Sequence, residues 1–151
     1  YNLHEIGPMD DLRFLAKNGR LAAGKAFFGQ LIGVQPLADF TVKGMTQPLG
    51  TVKGEDVANK VSLEYLKQTI VNPEEQIIII GHSQRESRAL AFKAQLEKEI
   101  KVKGIEVIEI GQSCGVNMGP GLCAYFYMGK PITESREEET NLFNKIKESI
   151  K

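Results

Sequence analysis

Four consecutive isoleucines, Ile77 to Ile80, constrain the fold of this chain more than any other sequence feature. A short run of β-branched residues with apolar side chains on both faces is typical of a strand inside a sheet. Ser83 and Glu86 follow with the spacing of a capping box. The next residues carry one apolar helical face, formed by Ala89, Phe92, Leu96 and Ile100. We therefore expect a central strand followed by a helix that packs on the sheet.

The rest of the chain predicts four more strands and four more helices. The strands are expected in a hairpin at residues 34–49, with its turn at Lys43-Gly44, and at residues 105–110 and 122–128. The helices are expected at residues 11–18, 21–32, 55–70 and 133–151. The pattern predicts an α+β (mixed α/β) fold, in which a central mixed or antiparallel sheet carries helices packed on it. Because no linker divides the sequence and its first residue is Tyr1, we expect one domain cut from a longer protein.

Composition excludes several classes of protein. Lys plus Arg and Asp plus Glu both number 19, which does not favour nucleic acid as a partner. No apolar run approaches the ~20 residues of a membrane-spanning helix, and no signal pattern opens the chain, so we expect a cytoplasmic protein without a membrane span. Cys114 and Cys123 lack the further Cys or His ligands of a zinc site. We expect reduced, packed thiols and neither a metal nor a cofactor.

The least ordinary segment runs from Gly111 to Gly121 and reads G-Q-S-C-G-V-N-M-G-P-G. It is expected to be a loop between two strands, in which glycines let backbone N–H groups converge on an anion. Ser113 and Asn117 can each donate a hydrogen bond, and Pro120 stiffens the turn between Gly119 and Gly121. Neither a Walker A loop nor a dinucleotide fingerprint fits the spacing. A purely structural glycine-rich turn remains the alternative interpretation.

Three motifs in order resemble the DegV family. Residues 110–121 match its I-G-x-x-x-G-x-x-x-G-P-G signature, and residues 12–21 are similar to its L-x-x-L-x-x-G-G-R-I segment, with Asn18 for the first glycine. Residues 31–37 are similar to L-x-I-K-P-I, with Gln35 where lysine is usual. The resemblance extends to about Lys130.

The resemblance implies that residues 1–151 are the C-terminal lipid-binding domain of a two-domain protein whose N-terminal domain is absent from this chain. Residues 131–151 would form a C-terminal helical extension. A member of this family holds one long-chain fatty acid between its two domains and presents the carboxylate to a fatty acid kinase. The implied partners are therefore the fatty acid, the kinase and the protein's own N-terminal domain.

The resemblance also implies roles for individual residues. Asn117 stands where the family has a histidine near the fatty acid head group, beside Ser113 and the turn formed by Gly119, Pro120 and Gly121. Arg20 matches the family arginine and would meet the acyl phosphate or the kinase; the alternative is a surface arginine that binds helix-end carbonyls. Phe27, Phe28 and Leu31 would line the acyl tunnel or fill an ordinary core.

Two other functions compete with the carrier. One is an enzyme acting on an acyl or phosphorylated small molecule at residues 111–121, with His82 or Cys114 as the reactive group. The other is an interaction domain with an inert glycine-rich turn. We favour a binding protein, because two histidines and two cysteines in apolar contexts do not assemble a nucleophile, a base and a group that orients it. His82 is expected to pack or cap, and His4 and residues 137–139 are expected to be solvated.

Overall fold

Six strands form one mixed sheet in a computed structural model that describes residues 1–22 and 33–150. The strands are β1 (Leu3–Pro8), β2 (Gln35–Phe40), β3 (Thr46–Val52), β4 (Ile77–His82), β5 (Gly104–Glu109) and β6 (Cys123–Met128). The helices in these residues are α1 (Arg13–Lys17), α2 (Glu55–Thr69), α3 (Glu86–Glu99), α4 (Gln112–Met118) and α5 (Glu137–Ser149), with a 3₁₀ turn at Pro73–Glu75.

The strand order is β3-β2-β1-β6-β4-β5. β4 and β5 are parallel and the other neighbours are antiparallel, which confirms the predicted mixed sheet with helices packed on it. β1 was not predicted, so the sheet has six strands rather than about five. The pattern hid it because His4 and Glu5, two of its buried residues, are polar.

The main core lies between the sheet and the helices α2, α3 and α5. Its residues from alternate strand positions include Ile6, Leu37, Ile78, Ile80 and Tyr125. A second, smaller cluster lies on the other face around α1. It consists of Met9, Leu12, Leu15, Ala38, Leu122 and Ala124. None of the described helices has the length and apolar character needed to cross a membrane.

The isoleucine run does form an interior strand, but only one of its faces is buried. Ile78 and Ile80 are fully buried, whereas Ile77 and Ile79 are 53% and 37% exposed. Exposed apolar side chains on neighbouring strands continue this face. They are Leu3, Ile108 and Met128. The expectation of apolar surroundings on both sides was therefore wrong for the outer face.

A buried polar cluster ties α5 to the sheet. His4 is 1% exposed, so its predicted solvation was wrong. Its Nδ1 lies 2.7 Å from Oδ2 of Asp39, and the same oxygen accepts from Tyr65 Oη at 3.1 Å and from Arg136 Nη2 at 3.2 Å. Glu139 is also buried, against expectation, and accepts from the N–H and hydroxyl of Thr133 at 2.7 Å.

Other predicted elements stand with small corrections. The hairpin, the 55–70 helix and the 122–128 strand are confirmed, with Gly44 at φ +70° in the hairpin turn. The capping box is wrong: α3 begins at Glu86 without a side-chain cap, and Ser83 Oγ donates to Gly119 O at 2.7 Å instead. Leu21 forms a bridge with Thr46 rather than starting a helix, and residues 23–32 of that predicted helix lie outside the described residues.

Candidate functional site

The segment from Gly111 to Gly121 contains a helix, so its prediction as a loop was wrong. Gly111 is extended at the helix start, and its carbonyl accepts from the N–H groups of Cys114 and Gly115 at 3.1 and 2.9 Å. α4 then continues to Met118 and ends at Gly119, which has a φ of +72°. The low helix propensity of the glycines is overridden by the surroundings, because α4 packs against α1.

The turn after α4 is locked to the rest of the domain. A side chain at Gly119 would overlap the ring of Phe14, and a Cβ at Gly121 (φ +97°) would lie 2.5 Å from the Asp10 carboxyl group. The N–H of Gly121 also donates to the carbonyl of Ser83 at 2.8 Å. Gly119 and Gly121 are therefore needed because three chain segments come close together at this turn. The sequence alone did not distinguish this packing role from anion binding.

Arg20 and Asn117, 97 positions apart in the sequence, line one small cavity of about 140 Å³. Its other lining residues are Leu15, Phe40, Gly44, Thr46, Cys114 and Met118. Arg20 Nη1 donates to Asn18 O at 3.1 Å, which is the helix-end contact of the alternative interpretation. Asn117 Nδ2 donates to Ser113 O at 3.2 Å. Both side chains keep further donors, so an anion at this cavity could bind the two together.

The other predicted site residues do not share that cavity. Gly119 and Pro120 line a second cavity of about 360 Å³ on the other side of α4, together with Phe14 and Ser83. Ser113 is exposed and, like Gly121, lines neither of these two cavities. Phe27, Phe28 and Leu31 lie outside the described residues. Of the predicted site residues, the structure thus brings Arg20 and Asn117 into one cavity. The other described ones lie elsewhere.

An apolar surface of the sheet begins at the Arg20–Asn117 cavity. Phe40, in the cavity wall, has its ring centroid 6.3 Å from that of Phe126. Phe126 is the register partner of Ile79 on β4 and of Glu5 on β1. A row of side chains on one sheet face therefore leads from the cavity towards the exposed isoleucines.

Glu5 is the functional candidate that sequence reasoning missed. It is fully buried in this row, and neither carboxyl oxygen has a hydrogen-bond partner within the described residues. Burial, together with the charge of Asp39, raises the pKa of Glu5 to about 8, and the nearby Thr46 side chain offsets only a smaller part of this rise. The carboxyl group is therefore largely protonated at neutral pH. Strand alternation with Leu3 and Gly7 would have placed it on this face, had β1 been recognised.

The candidate reactive groups of the enzyme alternative lie apart. His82 lines a third cavity, on the α3 side of the sheet, whereas Cys114 is exposed at the Arg20–Asn117 cavity. The expectation that both cysteines pack was wrong for Cys114. Cys123 is buried, and burial raises the pKa of its thiol to about 12. Across residues 1–22 and 33–150 there is no group of three or more His, Cys, Asp or Glu side chains placed to hold a metal.

Fold and site together define a small mixed α/β domain, with a polar cavity at the edge of an apolar sheet face. The DegV family model, described as an uncharacterised protein family, matches residues 8–130. The chain belongs to the DegV family.

Relatives with known sequences and structures agree with this assignment. A DegV domain-containing protein of Clostridium perfringens is 30% identical over 121 residues, which cover 80% of this chain and 42% of that protein. The solved structure of a fatty acid-binding DegV family protein from Streptococcus agalactiae is 25% identical, with a TM-score of 0.73 over 85% of this chain and 45% of the other. The Streptococcus pneumoniae fatty acid kinase B3 protein, solved with linoleic acid, shares the fold, with 14% identity and a TM-score of 0.71 over 85% of this chain and 45% of that one. The chain thus spans less than half the length of each of these three relatives.

Proposed function

We propose that this chain is the C-terminal lipid-binding domain of a two-domain fatty acid carrier. The carrier holds one long-chain fatty acid between this domain and an N-terminal domain, and a partner performs the chemistry. The observation that carries the proposal is the cavity that brings Arg20 and Asn117 together at the start of an apolar sheet face. A fatty acid has this combination of one anionic end and a long apolar remainder.

The carboxylate belongs at the polar end of this arrangement. The guanidinium of Arg20 supplies charge and the amide of Asn117 supplies a neutral donor, while Phe40 and Thr46 form the wall behind them. The acyl chain then follows Phe40, Phe126 and Ile79 along the sheet. Covering such a face releases about 25 cal/mol for each Å² of apolar surface removed from water.

The proposed partner is a fatty acid kinase, which receives the carboxylate at the protein surface. Arg20 is exposed, so a kinase can reach it without unfolding the domain. The S. pneumoniae relative carries the kinase in its name, which supports this choice of partner. A cytoplasmic location accords with a partner that phosphorylates the acyl group.

The test begins with the two-domain protein expressed in bacteria. Its lipid is extracted and identified by mass spectrometry, and we expect about one fatty acid per protein. The chain of residues 1–151, freed of lipid, is then titrated with a labelled fatty acid beside the two-domain protein. We expect much weaker binding by the single domain. Absence of fatty acid from the two-domain protein would refute the carrier, whereas tight stoichiometric binding by residues 1–151 would refute the division of the site between domains.

A further inference from the structure

A cavity of about 810 Å³ lies away from the Arg20–Asn117 cavity. It opens where the parallel strands β4 and β5 end and α3 begins. Its lining includes His82, Arg85, Ser87 and Arg88, with Glu55, Glu86 and Glu109. Strand alternation puts His82 on the sheet face of Ile78 and Ile80, opposite Glu5. Ligands of open α/β sheets bind outside the carboxyl ends of parallel strands, so the position itself is one where a site is expected.

His82 presents an unused donor in this cavity. The residue is 6% exposed, and its Nδ1 accepts from the N–H of Arg85 at 3.4 Å. A neutral imidazole that accepts through Nδ1 carries its proton on Nε2. Nε2 makes no hydrogen bond to any residue in 1–22 or 33–150. The ring is held by the surrounding protein while Nε2 stays accessible from the cavity, so a ligand oxygen can accept from it in place of water.

Arg88 is held rigidly beside it. This arginine is 4% exposed, and its Nε and Nη2 donate to Asn59 Oδ1 at 3.1 Å and to Gln35 Oε1 at 2.7 Å. Those two amide oxygens fix the plane of the guanidinium group. Nη1 makes no hydrogen bond to the described residues. The positive charge is therefore positioned in advance, with donors remaining.

The N-terminus of α3 adds three more donors. No side chain caps this 14-residue helix, and the N–H groups of Glu86, Ser87 and Arg88 bind no described acceptor. Free N–H groups and the helix dipole together favour an anion at such an end. Arg85, which pairs with Asp10, stands at the same end.

The carboxylates of the cavity lie at its solvent side. Glu55 is 58% exposed along its side chain, 3.7 Å from Arg88 Nε, and Glu86 and Glu109 are exposed. Solvent screens charges at such positions more than it screens those of buried donors. His82 and Arg88 thus lie in the protected part of the cavity, while the carboxylates and Arg85 lie at its solvent side.

We infer that this cavity binds a phosphate group through His82 Nε2, the free N–H groups of α3, and the guanidinium groups of Arg85 and Arg88. A phosphate has enough oxygens to meet donors from several directions, which a carboxylate with two oxygens does not. This site is independent of the fatty acid proposal, because it lies on the opposite sheet face and uses none of the same residues.

The test is a titration of the full 151-residue chain with inorganic phosphate at constant ionic strength, followed by amide NMR. We expect saturable shifts at Glu86, Ser87 and Arg88. His82→Asn keeps an acceptor near the Nδ1 position but loses the donor, and should weaken binding about fivefold or more. His82→Gln keeps a donor near Nε2 and should retain most of the affinity. Arg85→Gln should also weaken binding, while Arg13→Gln, at an exposed Arg13–Asp11 pair, should not.

Three results would overturn the inference. The first is equal phosphate affinity in wild type and His82→Asn. The second is equal loss in the Asn and Gln variants with native amide spectra. The third is shifts of similar size at the first turn of α5, another helix without a side-chain cap, which would reveal general anion screening only. Repeating the titration with methyl phosphate and with acetate distinguishes a phosphate monoester ligand from free phosphate, and tight acetate binding without phosphate binding would refute the phosphate assignment.

Discussion

The imidazole of His4 and the carboxylate of Asp39 form a buried ion pair, with 2.7 Å between Nδ1 and Oδ2. The other ring nitrogen, Nε2, faces the carbonyl of Lys130 at 2.8 Å, so both nitrogens donate and the ring is cationic. Burial alone would lower the pKa of His4, but the hydrogen bond and charge of Asp39 raise it above its ordinary value. This pair joins β1 to β2 beside Arg136, the residue that directly precedes α5.

Replacing Asp39 should be the most damaging polar substitution in the domain. Asp39→Asn leaves the charge of His4 buried without its counter-ion and leaves Arg136 with Glu139 alone, 3.5 Å away, and we expect a loss of about 3–5 kcal/mol in the free energy of unfolding. Urea denaturation followed by circular dichroism measures it. Asp11→Asn, at the exposed Arg13 pair, is the control and should cost less than about 1 kcal/mol. A loss at Asp39 no larger than the control's would mean that the buried charges find other partners.

Glu5 should make the domain less stable as the pH rises. Its pKa is raised from 4.5 to about 8, so between these values the folded chain holds a proton that the unfolded chain releases. The free energy of unfolding should then fall by up to about 1.4 kcal/mol per pH unit in that window. Glu5→Gln should remove this contribution, whereas Glu137→Gln, at an exposed position, should not. His4, whose raised pKa gives a slope of the same sign above about 6.5, is present in all three proteins and cancels. Parallel pH curves for wild type and Glu5→Gln would contradict the prediction.

Glycines in the same segment should differ sharply in their tolerance of a methyl group. Gly121→Ala meets the Asp10 carboxyl at 2.5 Å in a left-handed conformation, and should destabilise the domain by about 1–3 kcal/mol or more. Gly111→Ala is the matched control, because Gly111 has a φ of −62° and no atom within 4 Å of its added Cβ. Thermal denaturation of both variants provides the comparison. Equal midpoints would show that the turn relaxes freely.

Arg20→Ala should separate two activities of the carrier. Since Arg20 lies at the exposed mouth, we expect acyl phosphate formation by a partner kinase to fall more than fatty acid affinity does. Arg13→Ala removes an exposed arginine from the adjacent helix α1 and should change neither. Equal losses in the kinase and binding assays would show that Arg20 serves carboxylate binding alone and adds nothing to the kinase step.

Asn117 should make fatty acid binding nearly independent of pH from about 6 to 7, because an amide does not titrate and Glu5 stays largely protonated in this range. Asn117→His should introduce tighter binding at the acid end, as an imidazole with an ordinary pKa near ~6.5 gains charge beside the carboxylate. Asn141→His, at an exposed position of α5, controls for the added histidine. The measurement is a titration of labelled fatty acid across this range. A slope in the wild type would indicate another titrating group at the carboxylate. An unchanged profile in Asn117→His would show that residue 117 does not contact the carboxylate.

Strong apolar periodicity explains which elements were predictable. The β-branched side chains of the isoleucine run predicted β4, and the helical spacing of apolar residues within 55–70 predicted α2. β1 was not predicted, because its buried polar side chains give the sequence pattern of a surface segment. α4 escaped because glycine content argues for a loop, whereas contact with α1 decides the conformation.

The site was predictable in chemistry but not in arrangement. Arg20 and Asn117 could be selected as anion-binding residue types, yet their common cavity arises from the packing of α4 against α1. Likewise, nothing local distinguishes Gly111 from Gly121, since only the approach of Asp10 makes the second indispensable.

The half-exposed isoleucines of β4 and β5 affect how this chain must be handled in solution. Ile77, Ile79 and Ile108 present an apolar strip to water, where any amphiphile gains by adsorbing. Detergents, fluorescent dyes and lipids from the expression host will compete for it with a fatty acid added in an assay. An apparent dissociation constant measured on this chain therefore depends on how much competing amphiphile the preparation contains. The intrinsic constant for the fatty acid follows only when that amount is known.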